Sequence, residues 1–355
     1  APSDVTSATN AEATSAAPSV SDASAAAANA ATAQRIQADL ISELEFSTAV
    51  LKKEYKSYCA WLHRKWIITS FPNPAIAQKV LTKENAKCEE LLKADERNFH
   101  AWGYRRWVTD MLRQAGAFND EMEMTFTLGK IEQNFSNYSA WHNRALIISK
   151  LMVATREAAD VVVAATESPP VPPSATNAAR DEGVAARHVQ AEVDYVVKAL
   201  YCDPFDQSAW FYAEFLLSAT AQAFLRSLQD AAAPHAGPSP SPQRSQQLYW
   251  HVQDAFMNAA TELLSMEPEA KWVWWLKRQL LQWKLRTRAA AKEANLAVLR
   301  PTFVTGAMIS ALSPEVQERE IRRDMVECDA ALRRLDVMHP AIYPLVSSAA
   351  PAAGP

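Results

Sequence analysis

The sequence predicts an all-α protein of stacked helical hairpins forming a curved α-α superhelix, and three observations carry that expectation. Glycine is scarce, 7 of 355 residues, too few for a chain built on tight hairpin turns between strands. Long stretches are rich in Ala, Leu, Glu, Lys and Arg, the strong helix formers. Most of the signal lies in the eleven tryptophans, several of which head a block that recurs about every 40 residues, the period of a stacked supersecondary unit.

In chain order, residues 1–33 are almost entirely Ala, Ser, Thr, Asp and Asn, which offer nothing to a core and predict a disordered segment. A helical-repeat domain is expected over 34–346. Disordered insertions are expected within it near 164–184 and 230–246, where Pro and Ala accumulate (ESPPVPPSATNAAR and DAAAPHAGPSPSPQR). Residues 347–355 read as a similar tail.

The repeat is centred on tryptophan: SYCAWLHR (57–64), NFHAWGYR (98–105), NYSAWHNR (137–144) and DQSAWFYA (206–213). Alanine precedes each tryptophan, a capping residue stands four before it (Ser57, Asn98, Asn137, Asp206), and Glu54, Asp95, Asn134 or Asp203 stands seven before it. Trp61 to Trp102 is 41 residues and Trp102 to Trp141 is 39; the step of 69 to Trp210 contains the first Pro-rich insertion. EPEAKW, ending at Trp272, is expected as a looser fifth copy. Each unit begins with an amphipathic helix, such as that expected over 77–93, followed by a polar link (94–97) and a capped second helix. In that second helix Trp and Arg at i and i+3 (Trp61/Arg64, Trp102/Arg105, Trp141/Arg144) share a face, so the guanidinium can lie on the indole or reach a carboxylate of a neighbouring helix. Such hairpins leave an apolar side that only neighbours can cover, and therefore stack.

With 49% hydrophobic residues, 21% charged residues and a net charge of -4, the composition is that of a globular protein without a surface dominated by nucleic-acid binding. The cysteines, Cys59, Cys88, Cys202 and Cys328, are scattered without a C-x-x-C pair, so reduced thiols are expected, with neither a disulfide framework nor a zinc knuckle. No apolar run approaches the about 20 residues that span a bilayer, no leader pattern opens the chain, and a cytoplasmic location is expected. The residues alone leave open a helical array that scaffolds partners and catalyses nothing.

The recurring N-Y/F-x-A-W-x-x-R block resembles the repeat of protein prenyltransferase α subunits, over roughly residues 40–345 outside the insertions. Within that family the Rab geranylgeranyltransferase type is the most similar. KADERNFHAWGYRRWV (93–108), NFSNYSAWHNR (134–144), DPFDQSAWFY (203–212), EPEAKW (267–272) and LRRLDVMHPAIY (332–343) carry the likeness. In the farnesyl and type I enzymes a Gln follows the tyrosine of the K-x-Y motif and reads a peptide carboxylate; here Cys59 holds that place, and the Rab enzyme also lacks the Gln.

The resemblance implies a subunit that acts with a catalytic β subunit to transfer geranylgeranyl from its diphosphate to C-terminal cysteines of Rab GTPases presented by an escort protein. It also implies that the zinc belongs to the β subunit. The competing readings are the shared α subunit of the farnesyl and type I enzymes and a non-catalytic α-solenoid adaptor. Lys56 matches the family lysine that approaches the diphosphate, where a cation offsets charge building on the leaving group; otherwise it is a surface lysine. Tyr58 would bond the diphosphate or position Lys56, or else pack on the next hairpin. His100 matches a family histidine on the same rim, or is a structural residue near a cap, and Arg97 is a weaker candidate for the same anionic surface. Two departures carry expectations. The family's first repeat is not found here, which predicts a fragment. The family continues its fourth repeat as WFYHRW where this chain has Trp210-Phe211-Tyr212-Ala213-Glu214-Phe215, which predicts altered packing of that hairpin and an altered β contact.

Overall fold

The computed structural model describes residues 20–164, 175–232, 242–294 and 314–336, all helices and short links. The chain divides into two compact units, residues 1–118 and 119–355. The first holds α1 (Val20–Lys53), α2 (Tyr58–Thr69), α3 (Pro74–Ala94) and α4 (Phe99–Gln114). The second holds α5 (Asp120–Gln133), α6 (Tyr138–Ala164), α7 (Ala175–Cys202), α8 (Gln207–Ala232), α9 (Pro242–Met266), α10 (Lys271–Glu293) and α11 (Pro314–Leu335). Within each unit successive helices pack as hairpins, as the sequence predicts.

Helix reaches further than composition suggests. α1 starts at Val20, inside the segment expected to be disordered, and α6, α7, α8 and α9 all run into the two expected insertions. Alanine supplies most of the α1 extension over residues 20–33, and it forms helix at little intrinsic cost. The rest of the insertions, the start of the chain and its tail fall outside the described residues, as does the closing segment beyond Asp336.

Every second helix begins in the same way. The predicted caps hold: Ser57 accepts from the Ala60 N–H at 3.4 Å, Asn98 from His100 and Ala101 at 3.0 and 3.2 Å, Asn137 from Ala140 at 3.1 Å, and Asp206 from Ser208 at 2.8 Å. The residue seven before the tryptophan shapes the turn ahead of the cap, Asp95, Asn134 and Asp203 each accepting from the N–H two residues on. The buried indole then reaches back over the cap to a carbonyl in that turn. Trp61 donates to Tyr55, Trp102 to Glu96, Trp141 to Phe135 and Trp210 to Pro204, at 2.8–3.1 Å. This bond moves the fifth copy: Trp274, not Trp272, donates to the carbonyl six residues back, that of Pro268 at 2.8 Å. Ala270 stands at the cap without a side-chain bond, so the sequence lacked the polar residue that would have marked the register.

The arginine of the repeat takes the second of its two predicted partners, a carboxylate. In the first unit Arg64 of α2 holds Glu84 of α3 through two bonds, 2.6 and 2.7 Å, and its remaining nitrogen donates to the Leu44 carbonyl, Ser47 and Thr48 of α1. The Tyr104 hydroxyl of α4 donates to the same Glu84 at 2.7 Å. The second unit repeats the arrangement: Arg144 of α6 grips Glu192 of α7 twice at 2.6 Å, donates to the Met124 carbonyl and Thr127 of α5, and Tyr212 of α8 donates to Glu192 at 2.7 Å. Burial alone would lower the pKa of each arginine, but the glutamate's hydrogen bonds and charge outweigh it and the net shift is upward.

The fourth repeat departs from this pattern coherently. Glu84 and Glu192 each stand fourteen residues before their repeat's cap, the tyrosine six after and the arginine seven after. In the α8–α9–α10 joint the corresponding positions are Phe256, Leu276 and Ala213, all at 0% exposure on helices that pack together. All three polar partners are replaced together, so no charge is stranded and the hairpin packs as an apolar joint. The Ala213→Arg variant would place the arginine of the other repeats opposite Phe256 and Leu276 with no carboxylate to receive it. It should lose about 3–5 kcal/mol in urea unfolding, whereas Ala213→Val should lose far less.

Candidate functional site

The predicted site residues gather where the starts of α2 and α4 meet. Lys56 lies exposed on the turn before α2, immediately ahead of the Ser57 cap, with its amine 5.4 Å from the Tyr55 ring centre. That turn is fixed from below, since Trp61 holds the Tyr55 carbonyl. Tyr58 opens α2 and is 70% exposed. Its ring meets His100 of α4 edge-on at 4.3 Å and Phe99 at 6.3 Å.

His100 is buried at the edge of this cluster, its backbone N–H bonded to the Asn98 cap. Its imidazole pKa is lowered, first by loss of surrounding water and second by the positive charge of Lys56, so the lysine lies within electrostatic reach of the ring. Lys56, Tyr58 and His100 therefore form one group. Arg97 stands exposed on the turn before α4, in the same register relative to its cap as Lys56, with its N–H bonded to Asp95 at 3.2 Å.

The juxtaposition follows from the repeat. The residue just before one cap faces the residue two after the next repeat's cap, and the second unit shows the same pairing: Ser208 donates to the Ser136 carbonyl at 3.4 Å. Serines occupy both places there, whereas the first unit has a lysine and a histidine. Two helix N-termini also open at this rim with no acidic residue in the first turn of either, so backbone dipoles and Lys56 favour an anion together.

Two features escaped the sequence reading. Phe99 is a 59% exposed wall of the rim, with its ring centre 3.9 Å from that of His100. About two turns further along the same helices, Lys65 places its amine 5.6 Å from the Trp107 ring centre, and burial followed by the charge of Arg106 lowers its pKa. A basic residue directly after the repeat arginine, Lys65 after Arg64 and Arg106 after Arg105, was the available signal. Cys59 is exposed beside Tyr58. Among the described residues no group of three or more His, Cys, Asp or Glu side chains is placed to hold a metal ion, and no helix is long and apolar enough to cross a membrane.

The protein prenyltransferase alpha subunit repeat model matches residues 40–71, 81–112, 120–151 and 189–220, each match running from the first helix of a hairpin into its capped second helix. The chain carries four protein prenyltransferase α-subunit repeats. Geranylgeranyl transferase type-2 subunit alpha of Mus musculus is 36% identical over 184 residues, 52% of this chain and 27% of the relative. The Homo sapiens protein of that name is 35% identical over the same shares. That of Saccharomyces cerevisiae is 31% identical over 176 residues, 49% of this chain and 46% of the relative. The chain thus spans from about a quarter to under half the length of these relatives. The α9–α10 hairpin repeats the indole bond, without the side-chain cap, beyond the last matched repeat.

The electrostatics of the rim can be checked by NMR titration of His100. Its pKa should lie below the ordinary value near 6.5. In Lys56→Ala it should rise but stay below that value, because the loss of water around the ring, the larger cause, remains. The unfolded chain keeps the ordinary value, so the folded state binds this proton less well. His100 costs no stability above about pH 6.5 and costs progressively more as pH falls through its lowered pKa. His100→Asn should abolish that part of the acid-side loss.

Proposed function

We propose that this chain is the α subunit of a heterodimeric Rab geranylgeranyltransferase, and that its Lys56–Tyr58–His100 rim receives the diphosphate of geranylgeranyl diphosphate. The observation that carries the reading is the meeting of a lysine, an exposed tyrosine hydroxyl and a buried histidine at two helix N-termini free of acidic residues in their first turns. The repeat family and the names of the relatives support the same class of subunit. Cys59 in place of a glutamine favours the Rab type over the farnesyl and type I enzymes.

The chemistry asks for little from this chain except charge and position. As the bond between the lipid carbon and the diphosphate oxygen breaks, negative charge collects on the departing diphosphate. Lys56 opposes that charge most strongly when it is greatest, which lowers the barrier and not merely the ground state. The Tyr58 hydroxyl is free to donate to a phosphate oxygen, and an anion beside Lys56 offsets the charge that disfavours protonation of His100. Zinc held by the β subunit would supply the Lewis acidity that favours the thiolate of the acceptor cysteine. Rab GTPases and their escort protein are the remaining partners of the reading, with the cytoplasm as its location.

Co-expression with a type-2 β subunit tests the assignment. A stable heterodimer that transfers geranylgeranyl to an escorted Rab supports it; a heterodimer formed only with a farnesyl-type β subunit, or with neither, overturns it. Lys56→Ala in the heterodimer should lower turnover about 10- to 100-fold with complex formation unchanged. A variant with full turnover would instead favour the adaptor reading.

A further inference from the structure

The first unit contains a connected set of contacts that begins at a buried carboxylate and ends at the rim. Glu84 of α3 receives the Arg64 guanidinium from α2 and the Tyr104 hydroxyl from α4, while Arg64 also bonds three groups of α1. Four helices are therefore referenced to one side chain. Tyr104 stands four residues after His100, one helical turn away on the same face of α4. Its ring packs on Trp61 with centres 5.1 Å apart. Trp61 in turn holds the Tyr55 carbonyl, and Tyr55 and Lys56 are the two residues of the turn itself. From Glu84, one short path thus leads through Tyr104 to His100 and another through Trp61 to Lys56.

We infer that the Arg64–Glu84–Tyr104 cluster is a positioning device for the diphosphate rim, fixing the start of α2 against the start of α4 so that Lys56, Tyr58 and His100 converge. The inference rests on the function proposed above. None of the three cluster residues reaches a phosphate itself; they act through Trp61 and through the shared face of α4. Burial and the neighbouring charge of Glu84 raise the Tyr104 pKa well beyond the working range, so its hydroxyl remains a donor throughout.

The second unit supplies the control. Tyr212 makes the same 2.7 Å bond to Glu192, which holds Arg144 just as Glu84 holds Arg64, and its ring packs on Trp141 at 4.9 Å. The corresponding rim positions there are Ser136 and Ser208. Removing either hydroxyl deletes one buried bond to a carboxylate, so the two losses of stability should be similar. Only one of the two bonds lies beneath the lysine and the histidine.

The experiment compares Tyr104→Phe with Tyr212→Phe in the heterodimer with a type-2 β subunit, using geranylgeranyl diphosphate and an escorted Rab. Tyr104→Phe should lower kcat/KM for the diphosphate about 10-fold, less than the about 100-fold that a misplacement of ~1 Å costs, and should move the His100 pKa. Tyr212→Phe should stay within about 2-fold of the parent and leave that pKa in place, although both variants unfold at similarly reduced urea concentrations. Glu84→Gln, if it folds, should exceed Tyr104→Phe in kinetic effect, because it weakens both partners' bonds. Equal kinetics for the two tyrosine variants would overturn the inference whether or not Glu84→Gln folds. Lys56→Ala is measured alongside. If it lowers turnover while the tyrosine variants match, the inference alone fails; if it leaves turnover intact, the rim reading fails and takes the inference with it.

Discussion

A buried guanidinium is the constraint around which each polar joint is organised. Removing an arginine and a glutamate from water costs several kcal/mol per ion, and their attraction repays this only when the remaining donors and lone pairs are also satisfied. The joints at Glu84 and Glu192 meet that demand in the same way. The carboxylate takes two arginine bonds and a tyrosine hydroxyl, and the leftover guanidinium nitrogen goes to a carbonyl and a hydroxyl on the preceding helix. Such a cluster contributes little net stability against an apolar alternative. Its directional bonds accept one register of the surrounding helices, since a shift of one residue would strand a charge.

The apolar joint between α8, α9 and α10 shows the other solution. Ala213, Phe256 and Leu276 fill the three places with carbon, and the α8 hairpin keeps Trp210, Leu216 and Leu217 fully buried. The alanine that stands where the other repeats carry an arginine is one part of a concerted exchange. Glu214, next in sequence, is half-buried, and burial raises its carboxyl pKa, so it does not replace the lost partner as a clamp. Packing holds that joint; hydrogen-bond direction holds those at Glu84 and Glu192.

The sequence disclosed elements that report on themselves locally. Caps, turn residues and tryptophans lie within eight residues of one another, and all four full copies could be aligned by eye. The glutamates were hidden because they lie 20 and 48 residues from their arginines, on helices whose other acidic residues look the same. The fifth register slipped by two because Ala270 offers no cap and four tryptophans crowd α10. The early start of α1 was missed for a different reason: an alanine-rich segment with no apolar periodicity reads equally well as coil or as an unpacked helix. At the site, Lys56, Tyr58 and His100 were each legible through the family resemblance, but their convergence depends on how consecutive hairpins stack, which only coordinates supply.

The same stacking explains how a repeated scaffold acquires a site at one joint and not at another. In both units the residue before one cap lies near the residue two after the next, because cap, turn and indole bond set both backbones in the same way. What the pair can do depends only on which side chains fill those places. Two serines join by one weak bond, whereas a lysine and a histidine in the same places repel protons and attract anions. Placing the cation costs the fold little, because Lys56 is exposed; the histidine, largely withdrawn from water, carries the cost as a lowered pKa. An anion seated between them would relieve that cost, which makes the rim more receptive to negative charge than an equally exposed pair of surface residues.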